Sequence, residues 1–469
     1  MKKLYLQRFV LVSSDIVSIF FAFIVSILVS KVYHEDLLGR PFSSFFNPGI
    51  SKLLGFSIIL VFAYMGHYTK RKPFWEELLQ ILKVVLILFI LNFGLAFILQ
   101  KGSLKIMLTV FWLMLIFTIP TCRYISKQLM IKLNVWQRDL YIIGAGVSAF
   151  EAYKLFAKNK LMGYNLIGFI GLHESKQELK RLDKIIFKED LLSRLDSINK
   201  NCDVIVALPA QLLNEELKFI NRVQHNCLSL MILPEIQGLS LYGAEVNHFF
   251  GNEQLVIRLN TNLSNWLNRL IKRIFDLIAV VIILIIISPV MLVIALAIKI
   301  TTRGKVFYSH KRIGINASHF GCLKFQTMYP NSKELLENIL NTDVKRKKEW
   351  EATFKLKDDP RVTPVGKFLR ETSLDELPQL FNVLIGQMSL VGPRPIVDAE
   401  IERYNDSFFY YQLVLPGITG LWQISGRSDV GYTQRVALDE CYVRNWSLWY
   451  DIVILIKTVS VVIKKTGAY

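Results

Sequence analysis

Two adjacent carboxylates and a set of dispersed arginines mark the part of this 469-residue chain suited to phosphate chemistry. Asp375 and Glu376 stand side by side in Leu369-Arg370-Glu-Thr-Ser-Leu-Asp375-Glu376-Leu-Pro378-Gln-Leu-Phe-Asn382. Such a pair suits Mg2+, which takes one or two carboxylates together with substrate phosphates, and a carboxylate also attacks phosphorus to give an acyl phosphate. Arg312, Lys324, Arg370 and Arg394 are natural partners for phosphate oxygens, the arginines through a planar two-pronged donor. An Asp-Glu pair alone is usually a solvated helix turn. Density raises this one, since arginines, carboxylates and Gly-Pro turns crowd one polar stretch between apolar segments.

The elements that must carry these residues are membrane elements. Of the chain, 52% is hydrophobic, and it holds 31 Phe, 18 Tyr and 8 Trp, too much aromatic surface for a disordered chain and too apolar for a single-core cytosolic protein. The length allows two or three domains. Four apolar runs, Phe9–Val32, Leu53–Tyr64, Leu82–Leu99 and Leu104–Pro120, approach the ~20 residues that span a bilayer. The first is too long for a secretory signal, and no cleavage site follows it. Lys2, Lys3, Arg8, Lys70, Arg71, Lys72, Arg123 and Lys127 place more basic charge on one side, so the N-terminus and everything after the fourth run are expected in the cytoplasm. Cys122, Cys202, Cys227, Cys322 and Cys441 are scattered, which argues against a disulfide framework and structural zinc and suits a reducing compartment.

From Arg138 onward short apolar runs (Leu140-Tyr-Ile-Ile143, Leu166–Ile170, Val204–Leu208, Leu228–Leu233) alternate with charged helix-like segments, the pattern of a parallel sheet with crossover helices. Gly144-Ala-Gly146-x-x-Ala149 could seat a pyrophosphate on a helix N-terminus. The second strand, however, ends Phe169-Ile-Gly-Leu-His173 without the acidic residue that would hold a ribose, and a tight strand-to-helix turn explains the glycines equally well. A fifth apolar run, Leu277–Ile298, has basic residues at both ends and Ser288-Pro289 in its middle. Proline removes a helical hydrogen bond, and Ser288 is placed to satisfy the freed carbonyl. The run is therefore expected to bend at Ser288-Pro289 and return to the face it entered, which keeps the carboxylates in the cytoplasm. The tail from Trp446 to Ile463 reads either as an interfacial helix or as a core helix.

The segment Lys272–Tyr469 resembles, end to end, the catalytic domain of bacterial polyprenyl-phosphate hexose-1-phosphate transferases, the monotopic phosphoglycosyl transferases. The matching motifs are Lys272-Arg273-x-x-Asp276, Ser288-Pro289, Lys324-Phe325, Ser373-Leu-Asp-Glu-Leu-Pro-Gln-Leu380, Ser389-Leu-Val-Gly-Pro-Arg-Pro395, Pro416-Gly-Ile-Thr-Gly-Leu-Trp422 and the terminal Gly467-Ala-Tyr469. The front half is similar to the large form of that family. The resemblance implies a four-helix transmembrane bundle (1–137), a central Rossmann-like α/β cytoplasmic domain (138–262) and an α-rich catalytic domain (263–469) with a re-entrant membrane helix at about 272–300. It further implies that a UDP-hexose donates its sugar-1-phosphate to undecaprenyl phosphate, with Mg2+, releasing UMP. Asp375 would be the nucleophile of a covalent phospho-sugar intermediate, and Glu376 would assist through metal binding or positioning. Arg312, Arg370, Arg394, Lys324 and Asp439 would organise phosphates and metal. The chain departs from the pattern at Gln326, where members usually carry Arg, and at Gly304-Lys305, where Gly-Pro is common.

The resemblance favours galactose or glucose, galactose first, and a bacterial inner-membrane enzyme that starts O-antigen, capsule or exopolysaccharide synthesis. A homodimer is plausible. The net charge of +18 suits anionic headgroups and phosphorylated substrates, whereas no nucleic-acid motif appears. Two rival classes remain: a nucleotide-sugar oxidoreductase or epimerase built on Gly144 and Gly146, which leaves the arginine-carboxylate cluster idle, and a non-catalytic scaffold or regulator, against which the intact Asp375-Glu376 pair argues.

Overall fold

The computed structural model describes residues 2–33, 57–98, 102–144, 146–171, 185–187, 202–234, 244–248, 255–258, 262–302, 304–343, 346–347, 350, 356, 359–426 and 431–463. The chain divides into two compact units, Met1–Gln237 and Gly238–Tyr469. The Gly467-Ala-Tyr469 end and His173 lie outside the described residues.

In the first unit, long uninterrupted apolar runs form helices α1 (Lys2–Val32), α2 (Phe74–Ile98) and α3 (Gly102–Lys132). The expected run Leu53–Tyr64 is helical over 57–64, and its start lies outside the described residues. Phe62, Ile81, Val85, Leu108, Trp112 and Leu115 fill the bundle's interior, while Phe9, Phe20, Ile87, Leu91 and Phe117 point outward. Large apolar side chains on the outside are disfavoured in water and suit lipid. Charge within the bundle is paired: Arg123 donates to both carboxylate oxygens of Asp15 (2.8 and 2.5 Å) and to Glu77 (3.1 Å), and Lys127 bonds Glu77. Two acids against two bases offset a desolvation cost that none could bear alone.

The same unit carries β1 (Arg138–Ile143), α4 (Val147–Lys158), β2 (Tyr164–Gly171), β3 (Ile185–Phe187), β4 (Asp203–Val206), α5 (Leu217–Asn226) and β5 (Ser229–Ile232). The strands pair in the order β3-β2-β1-β4-β5, all parallel. Helices cover both faces, so β1 and β4 are buried along most of their length. Leu140, Ile142 and Ile205 face α4 through Ala149 and Ala152, and Ile143, Val204 and Val206 face α5 through Phe219, Ile220 and Val223. Gly144 closes β1 with φ +111°, and a Cβ there would lie 2.5 Å from the Ala207 carbonyl oxygen. Packing between strands thus requires this glycine irrespective of any ligand. Gly146 is the N-cap of α4, which has no side-chain cap.

The second unit opens with antiparallel strands β6 (Glu245–His248) and β7 (Leu255–Arg258), followed by α6 (Trp266–Thr302). Helix α6 is one element of 37 residues that runs through Ser288-Pro289 without a break in its helical assignment. The reason is local. Pro289 has no amide to give the Ile285 carbonyl, and the Ser288 hydroxyl donates to that oxygen instead (3.1 Å). The side of α6 carrying Asp276, Val280, Met291, Ile294 and Ile298 is buried at helical spacing, while Ile278, Ile285, Ile286, Val293 and Ile300 are exposed.

The rest of the unit packs along that buried stripe. It comprises the hairpin β8 (Phe307–Ile313) and β9 (His319–Phe325), α7 (Pro364–Thr372), α8 (Gln379–Ile385), the parallel pair β10 (Ser389–Val391) and β11 (Gly417–Thr419), α9 (Tyr432–Arg444) and α10 (Leu448–Ile463). Val280 joins a core with Leu380, Val383, Val391 and Ile454. Met291, Ile294 and Ile298 join another with Phe325 and Leu369. The Lys272-Arg273-x-x-Asp276 motif fastens the helix down. Lys272 donates to Asp451 (2.7 Å) and the Val391 carbonyl (3.0 Å), Arg273 donates to the last carbonyls of α8, and Asp276 accepts from Ser389 (2.7 Å). Helix α10 follows the core reading of the tail over its first turns, with Asp451 and Ile454 buried, and Ile456, Val459 and Val462 further along are exposed.

Candidate active site

The Asp-Glu pair owes its position to a forced reversal between two short helices. Thr363 caps α7, accepting the Gly366 amide at 2.9 Å, with Pro364 in the first turn where its missing N–H is harmless. The helix stops at Ser373, which adopts left-handed geometry (φ 58°), a conformation costing a non-glycine residue about 1–3 kcal/mol. One 3-10 turn, Leu374–Glu376, follows before Pro378 starts α8. Asn382 in α8 fixes that arrangement to the hairpin, accepting from the Leu323 amide (2.9 Å) and donating to the Gly321 carbonyl (2.8 Å). The Asn of the motif is therefore structural.

Lys324 of β9 points its ammonium at the pair, 2.7 Å from Glu376 Oε1 and 3.8 Å from Asp375 Oδ2. Arg370, from the last turn of α7, donates through Nε to Thr327 Oγ1 (3.0 Å), which aims its guanidinium alongside Asp375. The Asp375 side chain is 15% exposed. Burial holds its carboxyl above the ordinary carboxylate range; Lys324 pulls it down, Glu376 pushes it up and Arg370 pulls it down. The result is a poorly hydrated anion between two cations, a good oxygen nucleophile toward phosphorus. Gln326, in place of the usual Arg, donates to the Met328 carbonyl (3.0 Å). Asp359-Pro-Arg361 is an internal clamp, with Arg361 bonding both Asp359 oxygens (2.8 and 2.6 Å).

The hairpin links this end to the other expected cations. Antiparallel register places Tyr308 opposite Lys324, His310 opposite Cys322 and Arg312 opposite Phe320, all on one face. Cys322 lies within electrostatic reach of Lys324 and Glu376 on one side and of Arg312 and Arg394 on the other; burial pushes its thiol up to about 11. Arg394 is delivered by the β10–β11 pair, whose backbones touch so closely that a Cβ on Gly417 would sit 2.1 Å from the Gly392 nitrogen. This contact explains why both positions, Gly392 and Gly417, are glycine. The Arg394 guanidinium lies 5.4 Å from the Trp422 ring centre. Arg312 and Arg435 both approach Glu400, at 3.9 and 3.8 Å.

Asp439 is not at the site's surface. It is 2% exposed, accepts from Tyr404 (2.8 Å), and burial pushes its carboxyl up to about 7. Whatever it contributes passes through the arginines above it. Sequence reasoning missed Arg435, Glu400 and His310. His310 lies two residues before Arg312 on the same strand face and Arg435 one turn before Asp439 on α9, whereas Glu400 comes from a separate segment.

Among the described residues no three His, Cys, Asp or Glu side chains converge as a metal cage. Asp375 and Glu376 nevertheless fit Mg2+, which completes its shell with phosphate oxygens and water. Both carboxylates are partly accessible, at 15% and 27%.

Residues 267–465 match the family model described as bacterial sugar transferase. The chain is 40% identical over 408 residues to the UDP-galactose-lipid carrier transferase of Erwinia amylovora, covering 86% of this chain and 85% of that one. It is 41% identical over 409 residues to the undecaprenyl-phosphate galactose phosphotransferase of Salmonella typhimurium, with coverage of 86% and 85%. It is also 30% identical over 453 residues to a UDP-glucose:undecaprenyl-phosphate glucose-1-phosphate transferase of Klebsiella pneumoniae, with coverage of 90% and 91%.

Proposed function

The chain belongs to the bacterial sugar transferase family of polyprenyl-phosphate hexose-1-phosphate transferases, and on that premise we propose that it transfers galactose-1-phosphate from UDP-galactose to undecaprenyl phosphate. The observation that carries the chemistry is the half-buried Asp375, held beside Lys324, Glu376 and Arg370 at the foot of a basic hairpin face. An Asp375 carboxylate oxygen attacks the sugar-bearing phosphorus, the bond to the bridging oxygen breaks, and UMP leaves with the electron pair. An oxygen of undecaprenyl phosphate then attacks the same phosphorus and frees the carboxylate, leaving the sugar on a lipid diphosphate. Lys324 and Arg370 are poised to stabilise charge on the equatorial oxygens, where phosphoryl transfer gains most of its acceleration. Glu376 together with Asp375 would hold Mg2+, which neutralises phosphate charge when bound. Galactose is favoured because the two relatives near 40% identity are named for galactose.

We place the enzyme in the bacterial inner membrane with its soluble parts in the cytoplasm, where it starts assembly of an O-antigen, capsule or exopolysaccharide repeat. Helix α6 is read as entering the cytoplasmic leaflet and returning. Supporting this, Lys272 and Ile298 are about 39 Å apart along a helix, further than the ~30 Å hydrocarbon core is thick. Yet both pack on one polar body, Lys272 against β10 and α10 and Ile298 against β9 and α7. Such a seat brings a lipid phosphate and a cytosolic nucleotide sugar to one carboxylate.

The test is to incubate membranes with undecaprenyl phosphate and a panel of UDP-sugars, scoring UMP. UDP-galactose should give the highest turnover, and Asp375→Asn should abolish it. Full retention of activity in that variant would remove Asp375 from the mechanism, and turnover of UDP-glucose alone would reassign the sugar.

A further inference from the structure

The mechanism uses one end of the hairpin face and leaves the other unexplained. Around Arg435 several buried polar atoms have no partner among the described residues: Arg435 Nε and Nη2, Trp422 Nε1, the Tyr432 hydroxyl, Gln423 Oε1 and Asp439 Oδ1. Trp422 is 8% exposed and Asp439 2%. Buried polar groups are nearly always satisfied, so a cluster of unsatisfied ones calls for an occupant. Arg435 stacks over the rings of Trp422 (4.9 Å) and Tyr432 (5.2 Å), so the cluster pairs a cation with aromatic faces and supplies both donors and an acceptor. A nucleoside has matching chemistry: a flat base whose carbonyls accept hydrogen bonds, and sugar hydroxyls that donate and accept them.

Two observations fix how such a ligand lies. Arg394 stands between the ends, near Trp422 on one side and within reach of Cys322, the neighbour of Lys324 and Glu376, on the other. In addition, the apolar core beneath the Arg435 end (Ile313, Ile396, Tyr404, Tyr411, Val436) contains no residue of α6, whereas the core beneath Leu374 is built on Met291, Ile294 and Ile298 of that helix. The carboxylate end is therefore built directly on α6, while Arg435 lies over the core of Ile313, Tyr404 and Val436.

We propose that Arg435, Trp422 and Tyr432 form the subsite for the nucleoside of the donor, with Asp439 a positioning residue beneath Arg435. The donor lies along the hairpin face, its sugar-bearing phosphorus at Asp375, its leaving phosphate at Arg394 and Arg312 and its base at Trp422. This rests on the reading of the donor as a nucleoside diphosphate sugar.

The experiment measures donor KM, undecaprenyl-phosphate KM and inhibition by UMP for the full-length enzyme in detergent or native membranes. In Arg435→Met and Trp422→Phe, donor KM and the UMP inhibition constant should each rise tenfold or more, while the lipid KM stays unchanged. A rise confined to the lipid KM, or an unchanged UMP inhibition constant, would overturn the assignment. Arg435→Lys and Tyr432→Phe, with UMP-induced thermal shift as readout, serve if the first pair does not fold; a wild-type shift retained by both also overturns it. If wild-type enzyme releases UMP from no UDP-sugar, the proposed reaction has failed, and the UMP thermal shift still decides the subsite: loss in Arg435→Met supports it, and retention or absence of any wild-type shift sinks it.

Discussion

Asp375 must be ionised to attack phosphorus, and its neighbours decide the pH at which that happens. Burial raises its pKa, and Lys324 is the largest opposing influence. The acid limb of the pH–rate profile should therefore lie above the ordinary carboxylate range, and Lys324→Met should move it to higher pH while lowering kcat by about 10²–10³. UMP release across a pH series checks this; an acid limb that stays put or moves down contradicts it. Asp439 makes a separate prediction about stability. Burial lifts its folded pKa to about 7, well above the ordinary carboxylate value of about 4, so the native state keeps a proton that the unfolded chain releases. Its contribution is fully present below pH ~4 and is lost as pH rises through ~7, by at most about 4 kcal/mol. In detergent melting experiments, Asp439→Asn should gain stability relative to wild type between those limits. Parallel pH dependences in the two proteins would refute it.

At the scale of elements, α6 is held by a buried ion pair, not by apolar contact alone. Asp451 accepts from Lys272, Tyr442 and Trp446 and has no solvent exposure. Lys272→Met would leave that carboxylate buried without its cation, a loss on the order of 3–5 kcal/mol, visible as a lower melting temperature; an unchanged melt would show that the pair is dispensable. Such motifs mark the family resemblance in sequence without showing what each residue does. Here Lys272, Asp276 and Asn382 turn out to bond backbone and side chains of their own domain. The αL residue Ser373 and the Gly392–Gly417 contact belong to the same class, since they shape the loops that deliver Asp375 and Arg394.

For the whole molecule, the consequence of the proposed α6 seat is topological. Cysteines introduced at Trp266 and Thr302, both exposed or partly exposed ends of α6, should react with a membrane-impermeant maleimide only from the cytoplasmic side. Labelling of the two from opposite sides would make α6 a true span. Much of this molecule was legible before any fold was known. Apolar run length determined the membrane helices, because hydrocarbon thickness sets a length that composition must match, and the strand-helix alternation after Arg138 determined a parallel sheet for the same kind of reason. Those are properties of contiguous residues. The tertiary structure alone decided that Lys324 meets Glu376, that Arg312 and Arg435 share Glu400, that Asp439 is buried and that Ser288 keeps α6 continuous. Electrostatic and hydrogen-bond partners are chosen by distance in space, and no local pattern encodes which of many similar arginines a given carboxylate will face.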